Sequence, residues 1–137
     1  MKEYNVDSVL YDYYLRCKAE ILSPAIMQMA DTLFRMAGEK KDLRMQAVAL
    51  TNKLDHHYFQ NKNKDSILYY VELVKKFSTE TNQPKYYYFA WSKRLINYYI
   101  KQRQYNMALY EADKMMKQAE QDNYPAGMAN AYNILSS

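Results

Sequence analysis

The sequence predicts an all-helical chain built from repeated helix pairs, and three observations carry that reading. Breakers are scarce, 2 glycines and 3 prolines in 137 residues, where a sheet protein with many tight turns needs more of both. Leu, Ala, Met, Lys, Glu and Gln, all good helix formers, recur along the whole length. The chain also matches itself when slid by 41 residues. Ile26, Ala30, Leu33 and Ala37 become Ile67, Val71, Val74 and Ser78, then Ala108, Ala112, Met115 and Ala119. Each set falls at +4, +7 and +11, one face of a helix turning about 100° per residue. Upstream, Tyr13 and Cys17 match Leu54 and Tyr58, then Leu95 and Tyr99, and Pro84 matches Pro125.

Caps and breakers place the elements. A first helix runs from about Asn5 to Ile21. Ser23 before Pro24 starts the second, because Ser caps free amides and Pro is pre-set for a first turn. Gly38 ends it as a left-handed C-terminal residue. Asp42 caps a third helix reaching roughly Gln60, a polar loop covers 61–64, and Asp65 opens the fourth. After a break at 79–83, Pro84 starts the fifth; a turn at 102–104 precedes Asn106, the expected cap of a sixth running to about Gln121. Pro125 starts a seventh. Short connections make consecutive helices antiparallel, and each hairpin must bury its apolar face against its neighbours in one shared core. The expectation is one domain over 1–137, with units at about 5–41, 42–82 and 83–123 and a partial one at 124–137. A seventh helix without a partner reads as a piece of a longer array.

Composition narrows the function classes. A net charge of +4 is mild, and Lys and Arg never run longer than two, as at Lys40-Lys41; a nucleic-acid binder wants a basic stripe. No stretch approaches the ~18 continuous apolar residues of a membrane span, so no insertion by this segment is expected. The first ten residues carry acids where a signal peptide has its apolar run. One cysteine, Cys17, leaves the redox compartment unread. The 16 tyrosines suit half-buried positions between helices or a tyrosine-lined recognition groove.

Chemistry is thin. His56 and His57 point about 100° apart on a helix and have no second ligand at i+4, so no metal site is expected. Cys17, at the repeat position of Tyr58 and Tyr99, reads as buried packing. With Gly38 and Gly127 alone there is no phosphate loop, and nothing suggests an oriented nucleophile and base. No cofactor and no catalytic residue is expected, and the chain does not read as an enzyme.

Leu95, Tyr99, Ala108, Ala112 and Met115 carry a pattern of Leu, Tyr four on, a small residue nine further, then +4 and +7. Leu54, Tyr58, Ile67, Val71 and Val74 share its spacing; Tyr13, Cys17, Ile26, Ala30 and Leu33 fit more loosely, and Leu135-Ser136 looks like a fourth start. This resembles the tetratricopeptide repeat, whose usual period is about 34 residues. The 41-residue period and the absence of a Gly after the Leu depart from that norm. The long hairpins, and the stretch 30–37 followed by Ala49-Leu50, resemble repeats in sensor regions of bacterial two-component histidine kinases and regulators, and also those of peptide-pheromone receptors.

The resemblance implies a right-handed α-solenoid of antiparallel pairs, three repeats plus a lone seventh helix, with the first helix of each pair lining a concave groove. Groove candidates are then Tyr11, Asn52, His56, Lys93, Asn97 and Asn133, with Phe59 as an aromatic neighbour shared between groove and core; Trp91 and Tyr99 read as core. Lys93 and Asn97 look like part of a clamp for a peptide carboxylate. The partner expected is a protein or peptide, one with a free carboxylate among the options, in the non-catalytic sensory or interaction region of a bacterial signalling protein. The competing reading is a structural spacer that self-associates, as a homodimer, through the end helix. Location follows the parent protein: periplasmic for a membrane kinase sensor, otherwise cytoplasmic.

Overall fold

In the computed structural model, which describes residues 6–137, the chain is all-helical, with seven helices among the described residues. They are α1 (Ser8–Ala19), α2 (Ile26–Glu39), α3 (43–61), α4 (Lys64–Glu80), α5 (84–101), α6 (Tyr105–Gln121) and α7 (Pro125–Leu135). Two of them change pitch. In α3 the α-helix Leu43–His56 continues as a π turn, His57–Asn61. In α5 a π segment, Ala90–Ile96, lies between α-helical Pro84–Phe89 and Asn97–Lys101. The expected start of the first helix at Asn5 lies outside the described residues.

The caps follow side-chain chemistry. Asp7 accepts from the amides of Val9 and Leu10 at the start of α1, and Asp42 from Met45 at the start of α3. Pro84 and Pro125 open their helices as expected. At α4 the cap is Asn63, whose side chain accepts from Ser66, so the helix begins just before Asp65. Asn106 caps nothing: α6 begins at Tyr105, behind Gln104, which makes no side-chain cap bond. Ser23 accepts from Ala25, but tight i→i+3 turns run from Glu20 to Met27, and α2 starts only at Ile26.

Gly38 is a correction. No glycine has a positive φ; α2 runs through it to Glu39, and Lys41 takes the left-handed conformation at φ 55°. Gly38 instead admits a neighbour, because a Cβ there would lie 2.8 Å from Nε2 of Gln46, which donates to the Phe34 carbonyl. The left-handed residues are Lys41, Lys62, Asn82, Arg103 and Asn123. Lys41, Asn82 and Asn123 stand 41 apart, as do Lys62 and Arg103. After each of the first three, the next amide reaches back to Ala37, Ser78 or Ala119 at 2.8, 2.7 and 2.8 Å, the bond of a Schellman closure. The repeat in sequence is thus a repeat in backbone geometry.

The aligned sets Ile26 to Ala37, Ile67 to Ser78 and Ala108 to Ala119 are all buried, and so are Cys17, Tyr58 and Tyr99. Helix α2 packs on α3, α3 on α4, α4 on α5 and α6 on α7, while the π segment of α5 touches α3, α4 and α6. The expected single core is instead two clusters. One gathers Leu10, Cys17, Ile26, Leu33, Ala37, Met45 and Ala49. The other runs from Leu54 to Ala131 through the stacked rings of Tyr87, Tyr88 and Trp91. The division falls inside α3: Ala49 belongs to the first cluster and Leu54 to the second, with buried Asn52 between them. Phe34 and Phe77, edge to face at 5.5 Å, bridge α2 to α4.

Candidate functional site

A cleft of ≈ 530 Å³ opens at this seam. Its walls are apolar: Tyr14 and Ile21 from α1 and the turn after it, Val48 and Phe59 from α3, Tyr86 and Phe89 from α5. Tyr14, Ile21 and Val48 pack against the first core cluster and Tyr86 against the second. Thr51, Asn52 and Asp55 add polar groups from α3, and Lys18 and Lys85 stand exposed as flanking cations. Asn52, Asp55 and Phe59 fall at +3 and +7, which puts them on one face.

Asn52 is the informative group. It is 6% exposed, and its Nδ2 has no hydrogen-bond partner. A buried donor left unmade costs about 1–3 kcal/mol, so a ligand oxygen that accepts from it would recover a real penalty. Thr51 is not free in the same way, since its hydroxyl donates to the Ala47 carbonyl.

Asp55 is held differently. Its Oδ1 accepts from Nε of Arg94 at 2.6 Å, and both side chains are largely buried. The Arg94 guanidinium lies 4.7, 4.9 and 5.0 Å from the ring centres of Phe89, Phe59 and Tyr58. Burial pushes the Asp55 carboxyl above the ordinary range, and the Arg94 bond and charge pull it back only in part. A carboxylate so perturbed beside an open cleft marks a candidate site. Both π turns flank it: Phe59 lies in one and Arg94 in the other, and such turns recur at functional sites.

The structure divides the seven expected groove residues. Asn52 and Phe59 share the cleft. Lys93, Asn97 and Asn133 line a separate depression of ≈ 160 Å³ between α5 and α7, where the Asn97 amide donates to the Lys93 carbonyl. His56 is buried, and its Nδ1 bonds the Ile21 carbonyl at 2.7 Å, tying α3 to the α1–α2 turn. Tyr11 is exposed beside Tyr14 and lines neither opening. Trp91 and Tyr99 are in the core. Sequence reasoning missed Asp55, Arg94, Tyr86 and Phe89; the aromatic run 86–89 and opposite charges 39 residues apart were the available signals.

Among the described residues, no group of three or more His, Cys, Asp or Glu side chains is placed to hold a metal ion. No helix there is long and apolar enough to cross a membrane. No protein-family model, curated protein or solved structure matches this chain. What the cleft does must therefore be argued from its own chemistry: apolar walls, one unmet amide donor, one buried ion pair and two flanking cations.

Proposed function

We propose that this chain is a peptide- or protein-binding scaffold of the tetratricopeptide kind, its helix pairs antiparallel and stacked into a right-handed solenoid. It would serve as the non-catalytic sensory or interaction region of a bacterial signalling protein. One observation carries the reading: the apolar cleft draws its lining from α1 with its following turn, α3 and α5, the first members of the three pairs. An apolar side chain seats between Phe59, Tyr86 and Phe89, while a backbone carbonyl accepts from Asn52. That combination suits an extended peptide.

The test is affinity selection of a displayed random-peptide library on the immobilised protein, followed by titration of the selected peptides. Peptides with a large apolar residue should be enriched, and Asn52→Ala or Phe59→Ala should weaken them about tenfold. No enrichment, or binding to both variants as tight as to the parent, removes the groove reading.

A second reading, self-association through the end helix, is favoured by an observation of its own. Tyr132 and Leu135 on α7 and Leu109 on α6 are exposed, and Ile100, Leu109 and Ile134 line a further opening of ≈ 340 Å³. Sedimentation equilibrium separates the two: a monomer across the accessible concentration range removes the second.

A further inference from the structure

Another cleft, of ≈ 400 Å³, shares no lining residue with the groove and opens where α4, the start of α5, α6 and the α6–α7 turn meet. Its polar groups are not accounted for by packing. Ser78 stands at the repeat position of Ala37 and Ala119, and all three are buried. That position therefore asks for a methyl group, yet Ser78, 1% exposed, adds a buried hydroxyl that has no partner. Tyr87, at 6% exposure, also holds its hydroxyl buried and unpartnered, and both residues line this cleft. Each unmade bond costs about 1–3 kcal/mol, and both belong to residues lining the same cleft.

The charges lining the cleft form no ion pair among the described residues. Lys75 lies 5.2 Å from the ring centre of Tyr87 and 5.5 Å from that of Trp91, and it forms no ion pair among the described residues. Asp122 accepts from Tyr88 Oη at 3.0 Å and from Gln118 Nε2 at 3.1 Å, both neutral donors, and no cation there pairs with it. One cation, one anion and two unmet hydroxyls thus line a single space of ordinary small-ligand size.

A simple anion would leave Asp122 facing a like charge, and a simple cation would leave Lys75 doing the same. We propose that this cleft binds a free α-amino acid as its zwitterion, the carboxylate on Lys75 and the hydroxyls of Ser78 and Tyr87, the ammonium on Asp122. The groove reading is not needed for this site, and the two tests can fail separately.

The experiment titrates the standard amino acids, one by one at millimolar concentration, into the whole chain by calorimetry, with thermal melts beside it. For the best binder, its decarboxylated amine and its deaminated acid are run as well. At least one amino acid should bind, and Ser78→Ala and Tyr87→Phe should each weaken it about fivefold or more. Both half-ligands should fail. Ligand-free Ser78→Ala should melt no lower than the parent, since alanine already fills the matching position twice, so this variant decides the matter even if Tyr87→Phe does not fold. No binding by any amino acid, undiminished binding to Ser78→Ala, or a deaminated acid that binds as well as its parent would overturn the assignment.

Discussion

Arg94 closes an ion pair with Asp55, covers three aromatic rings and joins α5 to α3. Arg94→Ala removes all of this and leaves Asp55 largely buried without its cation. A fully buried broken pair costs about 3–5 kcal/mol; some solvent access remains here, so the expected loss is about 2–4 kcal/mol, read by urea unfolding. Arg94→Lys keeps the charge but not the flat fork and should recover less than half. A loss under about 1 kcal/mol for the alanine variant would mean that water screens the pair. At this scale the sequence was legible for burial and much less so for the site. The +4, +7, +11 sets all went inside because a helical period reports one face directly. The groove ladder scattered because helical spacing does not say what covers each face: His56 is buried against the Ile21 carbonyl, and Tyr11 lies outside both openings. Lys93 and Asn97 stayed together, but they face the depression toward α7 and not the cleft.

Three helices began where Asp42, Pro84 and Pro125 signalled, the second began two residues after Pro24, and no described helix ended on a left-handed glycine. Lys41, Lys62 and Arg103 adopt a left-handed conformation that costs most residues about 1–2 kcal/mol; the breaks at 61–64 and 102–104 were legible, but residue type gave no hint of that conformation. Gly127 is the converse case, a glycine in the body of α7 whose reason is spatial. A Cβ there would meet Tyr88 at 2.8 Å and Tyr124 at 2.9 Å, inside rings stacked 4.8 Å apart. Gly127→Ala gains about 1 kcal/mol in helix propensity. Forcing a methyl into that stack costs about 1–3 kcal/mol. The second term wins, and a net loss of about 1 kcal/mol is expected in thermal or urea unfolding. A higher melting temperature would show that the stack yields.

At the scale of the whole molecule, the helix-pair repeat was legible because self-similarity survives in both side chains and turns. The split core was not, because a strict period treats every unit alike and is silent about the polar seam at Asn52. Two clusters that meet along α3 and at the Phe34–Phe77 contact should not open together. Native-state hydrogen exchange should find the amides of α1 and α2 less protected than those of α4 and α5; equal protection throughout would show one cooperative core. The larger cluster also carries its own optical label. Trp91 is the chain's single indole, stacked 5.3 Å from Tyr87 and 6.1 Å from Tyr88 and bonded through Nε1 to Glu111. Light absorbed by the neighbouring phenol rings funnels into that one emitter, so its colour and brightness report on the centre of the second cluster without any dye or engineered probe.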